Sequence, residues 1–98
     1  MGKRIQIIWS PAALRDLDEG FHFIEHDSPE RARKWAEEIR RSVTRLELFP
    51  RSGRIIPELS QDHLREVIAG DYRVCYELRP KNLSVLRVLH GRRFFEMV

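Results

Sequence analysis

His90, Gly91, Arg92 and Arg93 follow one another where the apolar run LSVLRVLH ends, close to the end of a 98-residue chain. A guanidinium group grips carboxylates and phosphates through two parallel hydrogen bonds, and an imidazole changes charge near neutrality. Such a cluster suits recognition of an anion, either an acidic peptide or a nucleic-acid backbone. With a second acid or base beside it, it also suits proton transfer. The plainer reading is a solvated basic chain end with His90 in a strand-end hydrogen bond. More cations lie upstream at Arg4, Arg54, Arg65, Arg73 and Arg87, together with the acid Glu58. Other chemistry is poorly supported. His22 and His26 have a helical metal-ligand spacing, but HFIEH lacks the HExxH order and the helix turns both away from its apolar stripe, so no metal site is expected. Ser10, Ser28 and Ser52 have no nucleophile-elbow context, and there is no glycine-rich phosphate loop. Cys75, the only cysteine, excludes an internal disulfide and reads as a buried thiol.

These residues need elements to position them. RIQIIW at 4–9 alternates in the period-2 pattern of a half-buried strand. Ser10-Pro11 is a helix start, a capping oxygen followed by proline at the first helical position, and Leu14, Leu17, Phe21 and Ile24 form an apolar stripe to about His26. Ser28-Pro29 repeats the signal, and Ala32, Trp35, Ile39, Val43 and Leu46 form a second stripe that Pro50 ends. So short a connection predicts an antiparallel helix hairpin over about residues 11–48. The stretch FPRSGRIIPELSQD reads as a loop with a short extended piece at Ile55 and Ile56. LREVIA (64–69), YRVCYEL (72–78) and LSVLRVLH (83–90) then read as an antiparallel meander. Parity puts Val74, Tyr76, Leu86 and Val88 under the hairpin and turns Arg73 and Arg87 to the opposite face, where Arg65 and Arg4 could join them. The competing account of that face is a solvated surface whose arginines pair with Glu66 or Glu77.

Composition sets the frame. The chain is 42% hydrophobic and 34% charged, which fits one folded domain over residues 1–98 and excludes a disordered chain. No run approaches the roughly 20 apolar residues of a membrane span. The opening MGKRIQIIWS is too short and polar for a secretory signal, so a cytoplasmic location without membrane contact is expected. The net charge of +3 is spread out: residues 1–53 hold ten Lys/Arg against nine Asp/Glu, and residues 54–98 hold eight against six. Any anion-binding surface must therefore be assembled by the fold.

In order and spacing, SPAALRDL (10–17), SPERA (28–32), LFPRSGRIIPEL (48–59), LREVIAGDYRVCYEL (64–78) and VLRVLHGRR (85–93) resemble the RelE/ParE toxins of bacterial type II toxin–antitoxin systems over nearly the whole chain. The resemblance implies an α+β fold, β-α-α-β-β-β, with the helix hairpin packed on one face of an antiparallel sheet. It implies a cognate acidic antitoxin, a hetero-oligomer with it, growth arrest when the toxin is free, and no cofactor. Two activities occur in the family. ParE-like members inhibit DNA gyrase without being enzymes, and RelE-like members cleave messenger RNA on the ribosome. On the second reading Arg65, Arg73, Arg87, His90 and Arg92 would be catalytic, because attack of a 2′-hydroxyl on phosphorus needs cations, a base and an acid. On either reading Arg54, Glu58, Arg65, Arg73, Arg87, His90, Arg92 and Arg93 are candidates for binding target or antitoxin. The closing segment has Phe94 and Phe95 where RelE-like nucleases carry further lysines and a tyrosine or second histidine. The expectation is therefore gyrase inhibition, with RNA cleavage as runner-up. A non-toxic binding module for an antitoxin-like partner is the third reading.

Overall fold

The computed structural model describes residues 3–96. Strand β1 (Gln6–Trp9) leads into helices α1 (Pro11–Asp27) and α2 (Pro29–Leu46), followed by β2 (Arg54–Ile55), β3 (Leu64–Ala69), β4 (Tyr72–Leu78) and β5 (Asn82–His90). The hydroxyl of Ser10 accepts the Ala13 N–H at 3.0 Å and donates to the Leu86 carbonyl at 2.9 Å, so one side chain starts α1 and ties it to the sheet. Ser28 caps α2 through the Arg31 N–H.

The five strands form one sheet in the order β1-β5-β4-β3-β2. The meander β3-β4-β5 is antiparallel as the connection lengths require, and β2 takes the short extended piece, pairing antiparallel with β3. The expectation of an entirely antiparallel sheet is corrected at one edge, because β1 runs parallel to β5 with Gln6 opposite Asn82 and Trp9 opposite Val85. The helix hairpin separates these two strands in sequence and supplies the long crossover that parallel neighbours need.

Helix α2 buries all five residues of its expected stripe, Ala32, Trp35, Ile39, Val43 and Leu46. They pack on Val74, Tyr76, Leu83, Val85 and Val88 of the sheet. Helix α1 behaves differently. Its buried residue is Ala13, while Leu17, Phe21 and Ile24 are half-buried and Leu14 is 53% exposed, so the apolar stripe lies along the rim of the core. The close contact is made at Gly20, where a Cβ would stand 2.6 Å from the Trp35 ring. A residue without a side chain is what lets the two helices approach there.

A β-bulge rewrites the parity of β5. Cys75 faces Arg87 and Tyr76 faces Val85, which leaves Leu86 as an extra residue. Val85 thus joins the core under the hairpin, and Leu86 packs with the cluster on the opposite face, the reverse of the expected assignment. That opposite face is covered as well. Ile56, Leu64, Cys75, Leu89 and Phe95 form a second small core, built from the 56–60 loop after β2, the sheet and the segment that follows β5.

Candidate functional site

The face expected to present arginines is closed by an ionic network. The Arg73 side chain is 6% exposed and bonds both carboxylate oxygens of Glu58, at 2.6 and 2.8 Å, and Oε1 of Glu66 at 2.8 Å. Glu66, fully buried, also accepts from Arg54 at 2.7 Å. Two carboxylates thus meet two guanidinium groups, and Arg73 has no valence left for a phosphate. Glu58 further accepts the Phe95 N–H at 3.0 Å, while Arg73 donates to the Arg93 carbonyl at 2.9 Å. The network therefore clamps residues 93–95 onto the sheet. The guanidinium of Arg73, aided by the Phe95 N–H, holds the Glu58 carboxyl down at about 2, and Glu58 in turn raises Arg73 above the ordinary arginine value. Cys75, beneath the same cover, is pushed up to about 12 by burial and stays a thiol.

The other expected arginines are also engaged. Arg65 pairs across from Tyr76, on the hairpin side of the sheet, and so does not share the Arg73 face. Its guanidinium donates to the carbonyls of Arg51, Gly53 and Asp62 and to the Asp62 carboxylate, bracing the loop before β2. Tyr76 braces the same loop from below, donating to the Pro50 carbonyl at 2.8 Å and accepting the Gly53 N–H at 3.0 Å. Any Cβ at position 53 would collide with that hydroxyl, 2.5 Å away. Arg87 reaches around the sheet to Asp16 of α1, at 2.7 and 3.0 Å, and the same carboxylate accepts the Val88 N–H where β1 no longer covers the edge of β5. Arg4 bonds Glu47. The expectation that Arg73 and Arg87 form an open anion-binding face, joined by Arg65 and Arg4, is corrected. Strand parity counts faces, and it cannot show that acidic partners from a loop, a neighbouring strand and a helix converge on those side chains.

What remains open is the corner where β5 ends. His90 is exposed, with its ring edge-on to Tyr72 at 5.5 Å, and Tyr72 in turn packs on Trp35. Its Nδ1 accepts a long 3.4 Å bond from the Arg92 N–H, and no carboxylate orients it. The side chains of Arg92 and Arg93 are exposed and have no ion-pair partner among the described residues. Phe94 beside them is 65% exposed, and Ile68 lines a shallow pocket with Tyr72, His90 and Arg92. Two cations, an imidazole and two bare apolar side chains are thus exposed around the end of β5. Sequence reasoning placed His90, Arg92 and Arg93 there but missed Ile68 and Phe94; the signal available was an apolar residue of β3 on the face opposite the hairpin, next to the strand end. His22 and His26 are exposed on α1, and a bond between the His22 ring and the Asp18 carbonyl raises the pKa of His22. No group of metal-ligating side chains occurs among the described residues, and no helix is long and apolar enough to cross a membrane.

Known proteins share this sequence and this fold. Residues 7–95 match the sequence model of the family described as ParE toxin of type II toxin-antitoxin system, parDE. A curated relative from Sinorhizobium fredii (strain NBRC 101917 / NGR234), described as "Putative toxin Y4kP", is 32% identical over 97 residues, which is 97% of both chains. A chain of the chromosomal ParDE toxin–antitoxin system from P. aeruginosa superposes with a TM-score of 0.72 at 21% identity, covering 89% of this chain and 96% of that one, and shares its fold.

Proposed function

This chain belongs to the ParE toxin family of type II toxin–antitoxin systems, and from that premise we propose that, free of its antitoxin, it arrests growth by inhibiting DNA gyrase rather than by cutting RNA. One observation carries the choice. The groups a nuclease would need are bound to each other: Arg73 to Glu58 and Glu66, Arg87 to Asp16, Arg65 to its own loop. A base must be able to take a proton near neutrality. Glu58, held at about 2, is too weak a base, and His90, although it borders shallow pockets with Arg92 and Arg93, hydrogen-bonds no carboxylate among the described residues. The exposed Arg92, Arg93 and Phe94 instead suit protein recognition, in which charge guides encounter and an aromatic side chain anchors it. The partner in the cell is a cognate acidic antitoxin, drawn to the basic surfaces of a chain whose sequence pI is about 9.5.

Two variants test the reading. His90→Gln keeps hydrogen bonding and loses proton transfer. It is expected to leave growth arrest and inhibition of gyrase supercoiling within about three-fold of wild type, whereas removing a general acid–base group costs on the order of a hundred-fold. Arg92→Glu with Arg93→Glu is expected to abolish both effects while the far-ultraviolet circular dichroism stays unchanged. Cleaved messages before any loss of supercoiling, together with silencing by His90→Gln, would favour the ribosomal nuclease. A wild type that leaves growth untouched would favour a non-toxic binding module.

A further inference from the structure

We propose that the open side of the helix hairpin is a self-complementary interface on which a second copy of this chain docks. The hairpin does not close on itself. Leu14, Leu17 and Phe21 of α1 and Trp35 and Ile39 of α2 line an apolar groove of about 450 Å³ between the helices, and Leu14 stands 53% exposed at its mouth. The two banks of the groove carry opposite charge. Helix α1 holds one arginine against five carboxylates, a net of −4, and α2 holds six cations against three carboxylates, a net of +3. At the rim this reduces to Asp18 on one bank and Arg40 on the other, both lining the groove and both well exposed.

An acidic bank and a basic bank across an apolar floor fit a copy of themselves under one symmetry. If two hairpins stack groove on groove with the two-fold axis running across the groove, acidic α1 lies on acidic α1. With the axis along the groove, each α1 lies on the other copy's α2, and every residue keeps its level along that axis. Asp18 and Arg40, which line the same groove from opposite banks, are then brought onto facing banks of the two copies, twice by symmetry. Charge therefore selects one arrangement, an antiparallel four-helix layer with the exposed Leu14 side chains inside it. In each chain Asp18 already touches His22 and Arg40 already holds Glu37, so the new contacts extend surface networks instead of pairing bare charges. A helix of 17 residues is about 25 Å long. With two helices about 10 Å apart the covered strip is roughly 500 Å² per copy, less than a standard interface of about 800 Å². The dimer is accordingly a weak one that forms at high local concentration.

Sedimentation equilibrium of the purified chain from low micromolar to millimolar concentration tests this independently of any toxicity. Wild type is expected to pass from monomer to dimer. Leu14→Glu, outside the packed core and on the first half of a helix where an added acid is tolerated, is expected to remain monomeric. Asp18→Arg and Arg40→Glu are each expected to weaken dimerisation roughly ten-fold, and the double reversal to return within about three-fold of wild type. Circular dichroism confirms that each variant is folded. A wild type that is monomeric throughout overturns the proposal, as does a double reversal no better than the singles or a Leu14→Glu chain that dimerises normally. A groove that fills only when a helical antitoxin peptide is added, the chain otherwise staying monomeric, also overturns it.

Discussion

At the scale of single residues, Arg73 and the two carboxylates around it decide how the chain responds to mutation and to acid. Removing one partner of a buried pair leaves the other charged and uncompensated, at a cost of about 3–5 kcal/mol. Arg73→Ala leaves Glu58 without its guanidinium partner and the fully buried Glu66 with Arg54 alone, and urea titration is expected to show a loss of that order. The variant is therefore unsuited to probing partner binding. Glu58 adds a pH dependence. Its folded-state pKa, about 2, lies below the ordinary 4.5, so its contribution to stability is complete above 4.5 and is lost as pH falls toward 2. Wild type is expected to lose more stability than Glu58→Gln between pH 5 and about 2.5, measured by denaturant midpoints at matched salt. A variant curve with the same acid slope as wild type would show that the clamp does not act through Glu58.

At the scale of elements, the segment that follows β5 behaves as part of the fold. Phe95 is 2% exposed in the second core, and both its N–H and the Arg93 carbonyl are held by the Glu58–Arg73 pair. Phe95→Ala is expected to cost about 3 kcal/mol, while Phe94→Ala, its exposed neighbour, is expected to cost little stability and to weaken target binding. Thermal melts beside a supercoiling assay separate the two. The elements themselves were largely legible in sequence. Both Ser-Pro starts, the stripe of α2 and the limits of β3 and β4 follow from capping chemistry and short-range periodicity. Three features were not. The parallel pairing of β1 with β5 depends on residues far apart in the chain. The bulge at Leu86 inverts parity by one residue, which no alternation pattern announces. Burial of Arg73 depends on Glu58 and Phe95 arriving from outside the sheet, so His90, Arg92 and Arg93 were placed by their position at a strand end while the arginines of the face were not.

At the scale of the whole molecule, the sheet joins the two ends of the chain. Ser10 and Leu86, 76 residues apart, are hydrogen-bonded, and among the described residues β1 has no strand partner other than β5. Closing so long a loop is entropically unfavourable and must precede the contacts that repay it. While β4 and β5 are still being made or still lie inside the ribosomal exit tunnel, the helix hairpin has most of its sheet missing, and β1 has nothing to pair with. A chain ending at residue 78 is accordingly expected to be cut rapidly by a protease that the full-length protein resists, and a truncation that survived would remove this reasoning. The fold thereby sets an order of events in biosynthesis. The full sheet forms only once β5 has left the ribosome, and until then the apolar stripe of α2 that packs on β5 stays open to whatever is already present in the cell.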